Sequence, residues 1–309
     1  MKKIPCLFPF MFLMVFAGFI LASCEKDITV DIPQAGKKPV IEGYIFQGEV
    51  ATVGITWSFP FFRPLTGLDF TNPAVISEFL VLDAQVTLTD GITTETLTLQ
   101  LDTTMFPPLV YKGNTIIGTP GRTYTLNIKF PGYDLSAVTT IREPVMLDSI
   151  AWKPEAGKDS LGFARLYFQE PAEIGNIYRL FSKRPDYQRY MPTYAVGNSV
   201  LDDQAYNGQY IEFLFGRPDP RSSLFVSNAD TANVYNEESG YWKRGDTIMV
   251  RFCSIDREAY NFIKTMENSA STSGNPFSNP TTVKTNITGG DALGGFVGYG
   301  VFEIQRVAQ

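Results

Sequence analysis

The sequence predicts an all-β protein of two antiparallel β-sandwich-like domains, the first like an immunoglobulin or fibronectin type III domain, with one short α-helix in the second. Three features carry that expectation. Apolar residues alternate with polar ones in many short runs, the two-residue period of half-buried strands. Turn-forming pairs such as Asp90-Gly91, Pro131-Gly132 and Asn207-Gly208 separate the runs. Only residues 256–268 show the three- and four-residue spacing of an amphipathic helix.

The first strand runs from Pro39 to Tyr44, and the next places Val53, Ile55 and Trp57 on one face. Phe59, Phe61 and Phe62 then form a proline-punctuated aromatic loop, a candidate contact surface whose alternative is a plug over the sandwich end. Ala84, Val86 and Leu88 alternate up to Asp90-Gly91, and Leu97, Leu99 and Leu101 alternate after it, so a hairpin is expected there. Gly121-Arg122 leads into Tyr124, Leu126, Ile128 and Phe130, and a last strand over 137–141 ends before Pro144.

Val145 to Ile150 restarts the pattern, which sets the domain boundary at Pro144. Residues 163–168 are apolar on both faces, as a central strand would be, and 178–181 is the next strand. Tyr187, Arg189, Tyr190 and Tyr194 form a second candidate contact surface, since Tyr and Arg are enriched where proteins meet ligands and partners. A loop packing its own tyrosines is the alternative. Asp202, Asp203 and Asn207 are a calcium candidate because oxygen donors surround a glycine turn, but the EF-hand spacing is absent and a plain Asn-Gly turn is the rival reading. Arg244-Gly245-Asp246 is read as a turn. Asp256 can cap the helix, whose Ala259, Phe262, Ile263 and Met266 share a face. The glycines from Gly289 to Gly298 match neither a dinucleotide fingerprint nor a phosphate loop, and read as tight turns and close backbone approaches.

The start of the chain has a different character. Lys2 and Lys3 precede an uncharged apolar run that closes on Leu21-Ala22-Ser23-Cys24, the basic, apolar and small-residue parts of a secretory signal. That closing tetrad resembles the bacterial lipobox, in which the cysteine is lipidated and becomes the new amino terminus. Residues 1–23 are then the lipoprotein signal peptide, 24–37 a lipid-anchored tether, 38–144 the first sandwich and 145–309 the second β-rich domain. An uncleaved anchor helix is the alternative, and Pro5 and Pro9 interrupt it. Glu25 and Asp27 behind the cysteine resemble the surface-export signal of Bacteroidota lipoproteins, so the outer leaflet is expected, with the periplasmic face as the alternative.

Composition narrows the chemistry. The chain carries 26 Lys and Arg against 32 Asp and Glu, without the basic cluster that a phosphate backbone requires, so nucleic acid is not an expected partner. It has no histidine, which excludes Ser-His-Asp and Cys-His nucleophile pairs and histidine-bound metals. With Cys6 in the signal and Cys24 lipidated, Cys253 is left as a single thiol, read as a buried strand residue. No cofactor is expected beyond the covalent lipid on Cys24.

Several residues recur in the order of a known family: Cys24, the strand Pro39-Val40-Ile41-Glu42-Gly43, Gly121 with Tyr124 and Leu126, Asp202-Asp203 with Gly208, and Gly245-Asp246. Ser254-Ile255-Asp256 with Tyr260, Asn275-Pro276-Phe277 with Pro280, and Asn286-Ile287 before Gly294, Phe296 and Gly298 continue it. The chain resembles the Bacteroidota lipoprotein family catalogued as domain of unknown function forty-two forty-nine. The resemblance implies a gene neighbourhood shared with TonB-dependent outer-membrane receptors and transfers no catalytic or binding residue. The expected function is therefore a non-enzymatic outer-membrane lipoprotein that partners a TonB-dependent transporter, with a glycan or peptide as ligand. A free-standing structural or adhesion module is the alternative, followed by a glycan hydrolase using carboxylates such as Glu170, Glu173, Asp202 and Asp203.

Overall fold

The structure is a computed structural model that describes residues 36–58, 72–105, 107–187, 189–195, 197–218, 240–272 and 282–309. The signal, nearly all of the tether, the Phe59, Phe61 and Phe62 surface, and Asn275 to Pro280 lie outside the described residues. Among the described residues no helix is long and apolar enough to cross a membrane.

Ahead of Pro144 come β1 (Pro39–Phe46), β2 (Val50–Trp57), α1 (Pro73–Phe79), β3 (Gln85–Thr89), β4 (Thr94–Thr96), β5 (Thr98–Leu101), β6 (Leu109–Ile117), β7 (Thr123–Phe130) and β8 (Tyr133–Thr140). After it come β9 (Ser149–Glu155), β10 (Lys158–Gln169), β11 (Ile177–Lys183), β12 (Met191–Pro192), β13 (Val200–Asp202), β14 (Tyr210–Phe215) and β15 (Trp242–Lys243). The chain closes with β16 (Thr247–Ser254), α2 (Arg257–Thr272), β17 (Ile287–Thr288) and β18 (Leu293–Val307). The protein is mostly β, as expected.

Helix α2 follows directly on Asp256, whose Oδ1 accepts the Ala259 amide at 2.8 Å in the manner of an N-cap. Helix α1 is a second α-helix where the sequence predicted only one. Its signal was Asn72-Pro73: the Asn72 Oδ1 accepts the Ala74 amide at 3.0 Å, and proline suits the first helical turn.

One broad sheet organises the fold. Its order is β12-β11-β16-β18-β1-β2-β6-β5, with β13 also pairing β11. Strand β18 joins its two sides: from Leu293 to Tyr299 it runs parallel to β1, and from Gly300 to Val307 antiparallel to β16. Because successive side chains on a strand point to opposite faces, each strand of this sheet serves two layers. On one face Ile41, Ile45, Val53 and Ile55 pack on Val86, Leu88, Leu126 and Ile128 of the sheet β17-β8-β7-β3-β4. Beside them Leu180, Ile248, Val250 and Phe252 pack on Ile150, Leu166, Phe168 and Phe213 of the sheet built on β9, β10, β14 and β15. Part of the opposite face is closed by α2, whose Ala259, Phe262 and Ile263 cluster with Cys253, Val297 and Tyr299.

The two sandwich-like layer pairs thus share a sheet. Pro144 lies between their cores, yet Lys37–Gln309 is one compact unit. The first pair has a tyrosine corner of the immunoglobulin kind: the Tyr124 hydroxyl near the start of β7 donates to the Ile117 carbonyl at 3.2 Å, seven residues upstream. It departs from a self-contained immunoglobulin sandwich by taking Ile287, Ala292 and Phe296 from the far end of the chain into its core.

Asp90-Gly91 does turn the chain, with the Asp90 Oδ1 accepting the Ile92 and Thr93 amides at 3.0 and 2.7 Å. It joins β3 to β4, whereas the Leu97 to Leu101 run crosses to the other sheet and pairs with β6. Strand β5 ends that sheet, so only Leu97 is buried and Leu101 is 68% exposed. On β4, Glu95 reaches across to the Asn114, Thr115 and Ile116 amides and the Thr115 hydroxyl at 2.8 to 3.1 Å. Burial pushes its carboxyl up, and those donors together outweigh burial and hold it below the ordinary value. A group depressed on folding stabilises above its unfolded pKa and loses that contribution as pH falls through the folded one. Glu95→Gln is therefore expected to cost about 1 kcal/mol at pH 7, the bonds being partly screened by solvent. Urea titrations should show the gap between wild type and variant closing below about pH 4.5; a gap that widens in acid would contradict the assignment.

Candidate functional site

Away from α2, the described residues place no layer over the second face of the broad sheet. There the strands carry polar and aromatic side chains where a buried face would carry aliphatic ones, and a cavity of about 430 Å³ opens over them, within the size range of small-molecule sites. Its floor comes from Tyr44 and Phe46 on β1, Val50 and Thr52 on β2, Lys112 on β6, Arg179, Phe181 and Lys183 on β11, Arg251 on β16 and Tyr299 on β18. Three connecting segments complete it, one with Glu49, one with Asp102 and Thr104, and one with Arg189 and Tyr190. The strand residues reach one place because they share a face: Arg179, Phe181 and Lys183 alternate with Tyr178, Leu180 and Ser182, which point into the second core or its edge.

The rings form a connected group. Phe46 stacks on Tyr299 with centroids 4.4 Å apart, and Phe181 meets both edge-on at 6.0 and 5.6 Å. Cations lie over these rings. Arg251 is 4.5 Å from the Tyr190 centroid and 5.2 Å from that of Phe46, and the Lys183 ammonium is 4.8 Å from Tyr190. Burial pushes the Tyr190 and Tyr299 hydroxyls up, so both remain neutral donors near pH 7.

Five cations line the cavity. Arg251 is held by Glu49 at 3.0 Å and Glu303 at 2.5 Å, Lys112 by Asp102 at 3.5 Å, and Arg179 by Glu267 at 3.9 Å. The Arg179 guanidinium also donates to the Tyr299 hydroxyl at 2.5 Å. The Thr104 hydroxyl holds the Asp102 carboxyl below its ordinary value, with Lys112 and Arg189 adding to the effect, so it is ionised at neutral pH. Lys183 and Arg189 differ from the other three. Among the described residues neither has a carboxylate within ion-pair distance, and Arg189 instead donates to the Tyr44 hydroxyl at 3.0 Å.

Of the residues singled out by sequence, Arg189 and Tyr190 line this cavity. Tyr187 points elsewhere, its hydroxyl 3.5 Å from the Pro218 carbonyl, and Tyr194 is 55% exposed outside the lining. The calcium candidates tie their loop to neighbouring segments. Asp202 pairs with Arg257 at 3.7 Å. The Asp203 Oδ2 accepts the Gly175 and Asn176 amides at 2.6 and 2.8 Å, and Asn207 donates to the Ala172 carbonyl at 3.1 Å. Buried Glu170 accepts from Tyr178, Asn176 and the Gly208 amide. Among the described residues no three His, Cys, Asp or Glu side chains gather as a metal cluster. Cys253 is fully buried, as expected of a strand residue, and burial pushes its thiol up, away from reactivity.

Of the residues that carry the family resemblance, Asp256, Asn286, Phe296 and Gly298 lie elsewhere, in the joint between the layers. Asp256 Oδ2 accepts the Thr139 hydroxyl at 2.7 Å and the Thr140 amide at 3.0 Å, tying the start of α2 to β8. Thr139 in turn accepts the Gly298 amide at 2.8 Å. Asn286 pairs with Phe296 like a strand neighbour, donating to its carbonyl at 2.8 Å and accepting its amide at 2.9 Å. These contacts build the fold, and the cavity is a separate feature on top of it.

No curated protein matches the chain. The family described as Domain of unknown function (DUF4249) matches residues 25–308, nearly the whole length of the described fold and its joint, and the chain belongs to that family.

Proposed function

We propose that this chain is a lipid-anchored outer-membrane protein, exposed at the cell surface, that binds a small ligand without transforming it and works beside a TonB-dependent transporter. The observation that carries the binding part is the aromatic and cationic cavity, whose side chains stand on paired strands and are mostly held by their neighbours before any ligand arrives. The anchor rests on Leu21-Ala22-Ser23-Cys24, and the transporter on the gene neighbourhood that the family resemblance implies. A carboxylate-dependent hydrolase gains no support from Glu170, whose oxygens accept from Tyr178 and the Gly208 amide, or from Asp203, whose Oδ2 accepts the Gly175 and Asn176 amides.

The test is a pull-down of the intact lipoprotein from gently solubilised outer membranes, with mass spectrometry of what remains bound. A TonB-dependent receptor in stoichiometric amount is the expected result. Recovery of the lipoprotein alone would favour the free-standing structural or adhesion reading. Cys24→Ala should release the protein from the membrane fraction or stall its export, because the acyl chains supply the anchoring; an acylated product in that variant would refute the lipobox assignment.

A further inference from the structure

We infer that the cavity takes a small monoanion: a single carboxylate on a six-membered ring, held by Lys183 and Arg189 with the ring against Tyr190 and Phe46. This deepens the binding role proposed above and rests on it. The charge count sets the valence. Five cations line the cavity, and four carboxylates pair three of them: Glu49 and Asp102 in the lining, Glu267 and Glu303 outside it, with Arg251 taking two, so one positive charge remains in excess and, among the described residues, Lys183 and Arg189 have no carboxylate. One negative charge balances that excess. A phosphate dianion would overshoot it beside carboxylates that are already in place. Arg189 supplies planar paired donors suited to a carboxylate, and Lys183 a mobile point charge. The body of the ligand follows from the rings. Tyr190 and Phe46 are only partly buried and form the apolar side of the cavity, which suits a flat or ring-shaped group more than an extended polar chain. The volume of about 430 Å³ admits one or two such rings.

Both acidic sugars and aromatic acids have this chemistry. Isothermal titration of the detergent-solubilised full-length lipoprotein would use glucuronate against glucose, benzoate against benzyl alcohol, and inorganic phosphate. The expected result is that at least one acid binds about tenfold or more above its neutral counterpart and above phosphate, and weakens as salt is raised. Binding by glucuronate alone would identify an acidic sugar, and by benzoate alone an aromatic acid. Lys183→Met and Arg189→Met should each lower the affinity about tenfold with an unchanged melting temperature. Lys129→Met, which breaks an exposed pair with Asp134 on β7 and β8, should leave it unchanged. Equal binding of acids and neutral counterparts, tighter binding of phosphate, or full affinity in both cavity variants would overturn the inference. Acids that fail while a receptor is still pulled down would remove the ligand class and leave the partnership. Acids that bind where no receptor is found would do the reverse.

Discussion

Asp256→Ala is expected to remove roughly 3 kcal/mol of stability, more than an ordinary helix-cap substitution, because one carboxylate holds two elements through three hydrogen bonds. Its Oδ1 caps α2 through the Ala259 amide, and its Oδ2 holds the Thr139 hydroxyl and Thr140 amide of β8. The side chain is 5% exposed, so water cannot replace it. Losing the cap costs about 1 kcal/mol. Leaving the Thr140 amide without an acceptor adds about 1 to 3 kcal/mol. Asp256→Asn keeps an acceptor for the helix and should lose less. Urea midpoints for the three proteins would check the ranking. A loss in Asp256→Ala no larger than 1 kcal/mol would mean that α2 is capped but not tied to β8.

Much of this joint was legible in sequence, though its meaning was not. Asp256 reads as a cap because it precedes an apolar face at helical spacing, and Asn286 and the glycines of β18 recur in the family pattern. Local patterning fixes which face a residue takes but not which strand it meets. The parallel pairing of β1 with β18 joins segments about 250 residues apart, and no two-residue period records a partner at that distance. The same reasoning explains the expectation of separate domains at Pro144. The two cores are divided there, but a strand from the end of the chain enters the sheet between them.

The cavity was harder to read for a related reason. Tyr and Arg cluster visibly only in the loop that holds Arg189 and Tyr190. Lys112, Arg179, Lys183, Arg251, Phe46 and Tyr299 each stand on a strand, one or two to an element, and come together only through pairing. Arg179-Leu180-Phe181-Ser182-Lys183 held the nearest signal: two cations on one face of a run whose other face is buried. Such a face must meet water, another chain or a ligand.

Gly300→Ala is expected to leave the protein unable to reach this fold, a larger loss than any side chain of the joint can cause. The link from β8 to β9 crosses β18 at this residue, and an added Cβ would stand 1.8 Å from the Arg142 carbonyl oxygen and 3.0 Å from its carbon. The obstacle is backbone on both sides. Gly300 is paired to Ser254 of β16, and Arg142 lies in the short connection between the two layer pairs, so neither can move away without breaking strand register. A clash that cannot relax belongs with the changes that exceed about 4 kcal/mol. Gly132→Ala provides the contrast. That glycine has φ of +85° but open space around it, so it should lose only about 1 to 2 kcal/mol of left-handed backbone preference. Circular dichroism and thermal melts of the two variants separate the causes. If Gly300→Ala melts close to Gly132→Ala, the connection does not cross β18 as described, and the joining of the two sandwiches through this strand must be redrawn.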